Sequence, residues 1–504
     1  MKQTAVNSIV IVGGGTAGWM TAAALARVLD TSSCSIRLIE SEGSGNATLD
    51  EATIPAIHDF NRRLGINEQE FMQATNATFK LGIEFVDWRA IGDSYMHPTG
   101  TFGQDMNGVG FHHYWLKQRL AGDSTPFDEY ALPCVAAKKG RFKHPVDDPR
   151  SVYSTYSYAF HLDATLYVRF MRDIAVNLGV QEINGKVVDV HLRSEDGFIN
   201  SVELESGDLI VGELFIDCSG SRGVLIGGAL KTGYEDWRGW LPCDSALVVQ
   251  TEKTGEPVPY TRAAASRAGW QWRFPLQHRV SNGHVYSSAY IGEDAATDIL
   301  LSNLEGQLLT DPLLHRFKPG KRLKMWNRNC VAIGSSGGFL DPLESTGIFL
   351  IQAAITKLIE FFPNPEFAAA DTLAYNRHLD TMFNEVRDFI LLHYKATQRD
   401  DSKFWDYCRE MSVPDELALR LKLFASRGVA AHRRGELFVE SSWLAVFLGQ
   451  GVIPEDYDPR ADCMPDEQML QRVQRMHEHI GQATDAMPSH QQTIIDYCDS
   501  RAST

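Results

Sequence analysis

The sequence predicts an α/β protein with a Rossmann-like module, a second mixed β-sheet layer and a helical carboxy-terminal module. Three observations carry this prediction. At the amino terminus a buried strand, a glycine-rich turn and a helix follow one another. Strand patterns of a second sheet recur at 246–251 and 270–274, and only helical patterns remain beyond Ala370. The composition changes near residue 365, which predicts two modules, 1–365 and 366–504.

The stretch Ser8–Trp19, SIVIVGGGTAGW, has the spacing of a dinucleotide-binding turn. Its glycines in G-x-G-x-x-G spacing are Gly13, Gly15 and Gly18. They permit, in turn, a tight turn, a close approach of the backbone to a pyrophosphate, and close packing of helix on strand. The helix predicted over Ala17–Val28 directs its first N–H groups at the phosphates. A second strand, Ser35–Ile39, ends in Glu40, which is placed to accept hydrogen bonds from a ribose.

Composition and charge exclude several classes of protein. The 504 residues carry a net charge of −16, which argues against nucleic acid or an anionic membrane as the main partner. No apolar run is long enough to predict a membrane span. The eight cysteines are scattered without a C-x-x-C pair, which indicates free thiols in a reducing cytoplasm. The apolar amino terminus could pass for a signal peptide, but cleavage there would destroy the glycine turn, so we expect an unprocessed chain.

A second informative stretch is Pro342–Gly347, PLESTG, which precedes a strongly apolar helix predicted over Ile348–Phe362. Backbone N–H groups at the start of a helix are unpaired and favour an anion. The same helix dipole favours an ionised Glu344. Two interpretations stay open on pattern alone: an anion site beside a carboxylate, or ordinary capping of the helix by Glu344 and Ser345.

Three further features are ambiguous by themselves. The stretch Trp270–Pro275, WQWRFP, places both indoles on one face of a strand, which is also typical of a packed aromatic sheet. Lys80 lies near the start of a strand predicted over Phe79–Trp88, and most lysines are solvated surface charges. The pair His112 and His113 lacks a third ligand at metal spacing, so we expect a structural role and no metal site.

Together these stretches resemble the flavin-dependent halogenases, the family of the tryptophan halogenases. The residues that carry the resemblance are GGGTAGW at Gly13–Trp19, EATIP at Glu51–Pro55, Lys80, WQWRFP at Trp270–Pro275 and PLESTGI at Pro342–Ile348. The resemblance implies that reduced FAD reacts with oxygen and that chloride or bromide attacks the resulting flavin hydroperoxide. The hypohalous acid so formed then passes to a lysine and halogenates an aromatic substrate.

The resemblance also implies residue roles. Lys80 matches the lysine and Glu344 the carboxylate that faces it, while Thr346 and Gly347 match the halide-binding amides. Residues expected to contact FAD are Gly13, Gly15, Thr16, Ala17, Gly18, Glu40, Ala52, Thr53, Ile54, Gly334 and Leu343. Residues expected to shield the flavin from organic substrate are Trp270, Trp272, Phe274 and Pro275. Residues expected at the substrate are His97, Phe102, Trp443 and Phe447.

In this interpretation, 1–365 is a glutathione-reductase-like FAD and halide module with an inserted substrate sheet, and 366–504 completes the substrate pocket. The implied partners are a separate flavin reductase and an indole-like arene, while a homodimer stays open. Two departures from the family pattern bear on function. Asp50 precedes Glu51 where the family usually has glycine, and Phe438–Gly451 lacks the tyrosines and acid that hold free tryptophan. We therefore expect an indole-like arene to be favoured over free tryptophan, which stays open as a substrate because Glu436 or Glu440 could reach its ammonium. The alternatives are a flavin-dependent aromatic hydroxylase and a non-catalytic flavin-binding protein.

Overall fold

A computed structural model describes residues 6–41, 49 and 51–499, so Asp50 lies outside the described residues. The described strands are β1 (Ser8–Val12), β2 (Ser35–Glu40), β3 (Thr78–Lys80), β4 (Gly82–Val86), β5 (Ser94–Pro98), β6 (Ala159–His161), β7 (Gln181–Asn184), β8 (Val187–Leu192), β9 (Ile199–Leu204), β10 (Leu209–Val211), β11 (Leu214–Asp217), β12 (Tyr234–Asp236), β13 (Ser245–Thr251), β14 (Thr261–Ser266), β15 (Gly269–Pro275), β16 (Val280–Tyr286), β17 (Leu313–Arg316), β18 (Gly320–Arg322), β19 (Trp326–Asn327), β20 (Cys330–Ala332) and β21 (Gly338–Phe339). The described α-helices are α1 (Thr16–Val28), α2 (Ile57–Leu64), α3 (Glu68–Thr75), α4 (Phe111–Leu120), α5 (Leu132–Lys138), α6 (Ala164–Asn177), α7 (Glu293–Ser302), α8 (Gly347–Glu360), α9 (Ala369–Lys395), α10 (Lys403–Glu410), α11 (Asp415–Arg427), α12 (Glu440–Gly449), α13 (Asp466–Asp485) and α14 (His490–Asp499).

The chain forms two compact units, each assembled from three segments. Unit 1 is Met1–Ala77, Leu162–Asp244 and Arg316–Asn384, and unit 2 is Thr78–His161, Ser245–His315 and Glu385–Thr504. These units interleave along the chain. The separate division into consecutive modules 1–365 and 366–504 stays a prediction.

Unit 1 contains the predicted Rossmann-like sheet. Its six strands have the order β19-β20-β11-β1-β2-β7. β1 pairs in parallel with β2 and β11, which pair in parallel with β7 and β20 respectively. β1 is buried along most of its length, as its run of β-branched residues predicts. The carboxyl ends of the parallel strands share one edge, where folds of this kind bind their ligands.

Unit 2 contains the predicted second sheet. Its seven strands have the order β17-β13-β16-β15-β14-β4-β5, with a parallel pair between β14 and β4 and antiparallel pairs elsewhere in the central part. β3 and β6 form a separate antiparallel pair. From Ala370 onward the described residues form helices and no further strand. The predicted α/β class, with a Rossmann-like sheet, a mixed sheet and carboxy-terminal helices, is confirmed.

One predicted strand is wrong in its extent. We expected a continuous strand over Phe79–Trp88, whereas the structure divides it into β3 and β4. Leu81 stands between them, and its N–H donates to the carbonyl of Pro259 at 2.7 Å, outside either ladder. The next residue is glycine because a Cβ atom at Gly82 would lie 2.5 Å from the carbonyl oxygen of His97. The chain therefore passes from one sheet to another at this point, which alternation of apolar residues does not reveal.

Helix termini follow the local signals closely. The side chain of Asn67 accepts a hydrogen bond from the N–H of Glu70 at 3.1 Å and so caps α3. Gly65 ends α2 in the left-handed conformation, φ +72°. α8 ends at Glu360, shortly before Pro363. Among the described residues, no helix combines the length and the apolar character needed to cross a membrane.

Buried histidines in unit 2 make its fold sensitive to acid. Burial lowers the pKa of His112, His284 and His490 to about 4 in each case. An unfolded chain protonates histidine near pH 6.5, so between pH 6.5 and 4 it binds protons that the folded chain does not. The contribution of these neutral histidines to stability is present above pH 6.5 and is lost as the pH falls towards 4.

We expect His284→Gln to weaken this acid dependence. The imidazole donates from Nδ1 to the Ala296 carbonyl and accepts at Nε2 from the Ser266 hydroxyl, both at 2.9 Å, and an amide offers similar groups without titrating. Between pH 7.5 and 5.0 the variant should lose about 2 kcal/mol less stability than wild type. Thermal midpoints at the two pH values measure this, with the exposed His479→Gln as control. Equal losses in wild type and His284→Gln would contradict the assignment.

Candidate functional site

Backbone contacts hold the glycine-rich turn of unit 1 in place. Gly13 has φ +117°, and a Cβ atom there would overlap the carbonyl oxygen of Cys218, just beyond β11. A Cβ atom at Gly18 would overlap the carbonyl oxygen of Gly13. Packing of backbone on backbone therefore already requires glycine at both positions. At both positions the obstacle is a backbone carbonyl of unit 1 itself.

The start of α1 suits an anionic ligand. Gly15 is the N-cap and brings no side chain to the first N–H groups of the helix, and no acidic residue lies in its first turn. The buried hydroxyl of Thr16 has no hydrogen-bond partner among the described residues. Gly334 approaches the same turn so closely that a Cβ atom would lie 2.7 Å from the Ala17 methyl group. These groups fit the pyrophosphate of a dinucleotide such as FAD.

Glu40, at the carboxyl end of β2, is held beside the turn. Its Oε2 accepts a hydrogen bond from the Trp19 indole at 3.1 Å. Its carboxylate also fills the space that a Cβ atom at Gly14 would need. The sequence pattern singled out Glu40 but missed Gly14 and Trp19, although both lie within the glycine motif. Glu40 is half-buried and sits at the strand end where a ribose is expected.

The EATIP segment lies between β2 and α2 in unit 1. Ala52 and Thr53 are buried and Ile54 is half-buried. The carbonyl of Glu51 accepts a hydrogen bond from the N–H of Leu162 at 2.9 Å, which joins the segment to the start of α6. The segment is thus an ordered part of the same unit as the glycine turn.

The PLESTG segment forms a short helical turn, Pro342–Glu344, that runs directly into α8. The Asp341 carboxylate accepts from the N–H of Leu343 at 3.1 Å and starts the turn. Ser345 then adopts the left-handed conformation, φ +58°, which is uncommon for a residue other than glycine. Glu344 is 1% exposed, so a carboxylate is buried beside a helix start. The left-handed backbone at Ser345 is strained, and strained backbone is often found at functional sites.

A cavity in unit 1 brings several predicted residues together. Gly334, Thr346 and Gly347 all line it, and Leu343 lies in the adjoining turn. The remaining wall is largely apolar and includes Leu340, Pro342 and Phe383. The amides predicted to hold halide and a glycine predicted to contact FAD therefore border one cavity.

Lys80 belongs to unit 2 and is 2% exposed, so it is not the surface lysine that the simplest interpretation expects. It ends β3, where it pairs with Ala159 of β6. Thr78 pairs with His161 in the same ladder, and alternation along both strands places these four side chains on one face. Sequence reasoning missed His161, since a histidine in an apolar segment carries no local signal of its partners.

The tryptophan-rich strand β15 is a packed aromatic face. Trp270, Trp272 and Phe274 are each at most 3% exposed, and the rings of Trp272 and Phe274 stack at 5.6 Å. Gly283 stands opposite Trp272, and a Cβ atom there would overlap the indole. The Trp272 N–H has no hydrogen-bond partner among the described residues. Pro275 ends the strand, and its carbonyl accepts from the Thr78 hydroxyl at 2.6 Å.

The predicted substrate residues fall into two aromatic clusters of unit 2. His97 and Trp443 both contact Phe389, at ring distances of 5.5 and 5.0 Å. Phe447 lies 6.0 Å from Trp443 and stacks on Phe424 at 4.2 Å. Phe102 instead stacks on Phe127 at 4.2 Å. The structure therefore groups His97, Trp443 and Phe447 and sets Phe102 in a second cluster.

A buried ion pair lies under the first cluster. Arg420 donates to both oxygens of Glu436, at 2.7 and 3.0 Å, and both side chains are at most 5% exposed. The same guanidinium lies 4.0 Å from the ring centre of Trp443. Glu436 lies just before the predicted substrate helix and its charge is already neutralised, whereas Glu440, the first residue of that helix, is half-buried. No local pattern singled out Arg420, which lies on the preceding helix α11.

The two adjacent histidines of α4 make structural contacts. His112 Nε2 lies 2.9 Å from the carbonyl of Gly428, and His113 Nδ1 accepts from the N–H of Asp458 at 3.2 Å. Burial lowers the pKa of both. These contacts agree with the structural role expected for the pair.

The parallel sheet and the glycine turn at its carboxyl edge are typical of an α/β protein that binds a dinucleotide. The chain belongs to the tryptophan halogenase family, whose model matches residues 8–466. It is similar to the tryptophan 6-halogenase SttH of Streptomyces toxytricini, with 34% identity over 478 residues that cover 89% of this chain and 90% of that protein.

Two solved structures are more similar in sequence. BrvH, a flavin-dependent halogenase from Brevundimonas sp. BAL3, is 44% identical with a TM-score of 0.93 over 98% of this chain and 99% of that one. A flavin-dependent halogenase from Xanthomonas campestris is also 44% identical, with a TM-score of 0.94 and the same coverage. The chain is therefore a flavin-dependent halogenase that uses FADH2, oxygen and halide, and works with a separate flavin reductase on an aromatic substrate. The hydroxylase alternative is not favoured.

Alanine substitutions at Gly13 and Gly14 should show which contacts of the glycine turn the fold requires. In Gly13→Ala the new methyl group meets a backbone carbonyl at a strained φ, at a cost of roughly 1–3 kcal/mol for the backbone alone. In Gly14→Ala it meets only the Glu40 side chain, which can move. We expect Gly13→Ala to lower the thermal midpoint by several degrees and to lose bound FAD, while Gly14→Ala remains folded. Equal midpoints would contradict this account.

Proposed function

We propose that this halogenase acts on indole, or on an indole with an uncharged substituent, in preference to free tryptophan. The observation that carries the proposal is the buried Arg420–Glu436 pair beneath Trp443. A site for the free amino acid must pair an ammonium and a carboxylate, since desolvating either without a partner costs several kcal/mol. Glu436 is committed to Arg420, and the helix α12 around Trp443 and Phe447 buries apolar side chains.

Halide binds, in this proposal, at the start of α8. The amides of Thr346 and Gly347 border the cavity and lie at the positive end of the helix dipole, which favours an anion. Bound reduced FAD, together with oxygen, supplies the oxidation of halide to hypohalous acid. Gly13, Gly15, Thr16 and Gly334 hold the dinucleotide at the neighbouring strand ends.

Lys80 directs the halogen to the ring. Its ammonium donates a hydrogen bond to hypohalous acid, or its amine reacts with the acid to give a haloamine and water. Transfer of the halogen to the arene leaves a cationic ring that must lose a proton. Glu344 is the base proposed for this proton, because it is a buried carboxylate in the PLESTGI stretch that resembles the family motif.

The strand β15 separates the oxidising chemistry from organic substrate. Trp270, Trp272, Phe274 and Pro275 form a continuous buried wall with small residues opposite, which include Gly283 and Ala263. We propose that this wall prevents direct oxygen transfer to the arene. Free thiols at all eight cysteines support the proposed cytoplasmic location.

Replacement of Lys80 tests its role. We expect Lys80→Ala to reduce halogenation at least a hundredfold, while oxygen consumption and oxidation of reduced flavin stay within twofold of wild type. The reason is that Lys80 acts after hypohalous acid has formed, and a diketone trap should intercept the acid that escapes. Halogenation by Lys80→Ala above a tenth of the wild-type rate would contradict the role.

Substrate preference tests the proposed arene. With a flavin reductase, NADH and one halide, we expect kcat/KM for indole to exceed that for tryptophan at least tenfold, which corresponds to about 1.4 kcal/mol. Mass spectrometry of the products measures both reactions, and an uncharged 3-methylindole serves as a control for substitution at the same ring position. A preference for tryptophan over both would contradict the proposal.

A further inference from the structure

Two buried histidines contact the strand that carries Lys80. On the face of the Lys80 side chain, His161 lies across the ladder from Thr78 and diagonal to Lys80, with the small Ala159 opposite the lysine. At the backbone of the same strand, the N–H of Phe79 donates to Nε2 of His490 at 3.2 Å. All of these residues are buried. Burial is the main cause that holds the pKa of His161 well below its usual value, and the charge of Lys80 adds to it.

The hydrogen bonds around His161 run in one direction. The Thr78 hydroxyl lies 2.6 Å from the carbonyl of Pro275, which can only accept, so its single proton points there. Its oxygen must then accept from Nδ1–H of His161, at 3.3 Å. A neutral imidazole has one N–H, so Nε2 accepts from the Thr261 hydroxyl at 2.8 Å. The donated hydrogen bonds therefore run from Thr261 to His161, from His161 to Thr78, and from Thr78 to Pro275.

This series of hydrogen bonds connects two sheets of unit 2. Thr261 begins β14 and Pro275 ends β15, both in the seven-stranded sheet, while Thr78 and His161 belong to the β3–β6 pair. The ring of His161 also stacks on Phe274 at 5.7 Å. The strand of Lys80 is thereby tied to the end of the tryptophan-rich strand by side chains distant in sequence.

We propose that His161 and Thr78 are positioning residues that fix Lys80 relative to β15. In this position Lys80 passes the halogen to the arene before hypohalous acid escapes into solvent. The proposal rests on the role proposed above for Lys80. His161 serves as a neutral link that donates at Nδ1 and accepts at Nε2, and it adds no second positive charge beside the lysine. Without the link, hypohalous acid would still form, but a smaller share of it would become product.

Coupling, the amount of halogenated product per oxygen consumed, is the readout. Thr78→Val keeps the shape of the side chain but removes both hydrogen bonds, whereas Thr78→Ser keeps the hydroxyl. We expect Thr78→Val to lower coupling at least fivefold, with oxygen consumption, FAD binding and KM within twofold of wild type, and Thr78→Ser to recover at least half. The matched control is His284→Gln, which alters another buried, neutral, doubly bonded histidine of unit 2 and should leave coupling within twofold.

The outcomes distinguish this proposal from the role of Lys80. Coupling of Thr78→Val within twofold of wild type, with Lys80→Ala inactive in the same assay, overturns the positioning role alone. An equal loss in His284→Gln or no recovery in Thr78→Ser also overturns it, since the effect would then be general. If Lys80→Ala still halogenates, the proposed function fails first. If Thr78→Val does not fold, His161→Gln takes its place: a fivefold loss supports the proposal and wild-type coupling overturns it.

Discussion

Contacts between backbone segments that leave no space for a Cβ atom hold the carboxyl edge of the six-stranded sheet together. Gly13 lies against Cys218, Gly18 against Gly13, and Gly334 against Ala17. These contacts join the ends of β1, β11 and β20 to the start of α1. The first N–H groups of that helix keep their positions because the surrounding turns approach so closely. The dinucleotide site proposed for unit 1 therefore depends on packing that any side chain at these positions would disrupt.

In unit 2, glycines leave space for aromatic side chains and not for neighbouring backbone. Gly283 leaves space for the indole of Trp272, Gly449 for the ring of Tyr95, and Gly103 for the ring of Phe111. Large aromatic rings can then pack directly against the backbone of a strand, a loop or the helix α12. Around Lys80 the packing is polar, and a one-directional set of hydrogen bonds satisfies every donor of Thr78 and His161. A buried polar network of this kind specifies one geometry, because each group has a single acceptable partner.

The buried ion pair of Arg420 and Glu436 bears on the substrate proposed for this enzyme. A buried arginine–carboxylate pair contributes little net stability, but loss of one partner leaves a costly isolated charge. Arg420 and Glu436 therefore constrain each other, and Arg420 in addition supports the face of Trp443. Relatives named as tryptophan halogenases are 32–34% identical to this chain, and two solved flavin-dependent halogenases are 44% identical. The identities leave open which substrate this chain prefers, so the proposal of an uncharged substrate rests on the buried pair itself.

Local sequence determined the parts of this protein whose signals span a few residues. The glycine turn, the strand β15 and the apolar helix α8 were all predicted, because glycine spacing and the periodicity of apolar residues act between near neighbours. Only the tertiary structure decided which distant residues meet. His161 follows Thr78 by 83 residues and Pro275 follows it by 197. Neither the break of Phe79–Trp88 into two sheets nor the pairing of Arg420 with Glu436 leaves a periodic signal, since both result from long-range packing that balances burial against the need to pair every polar group.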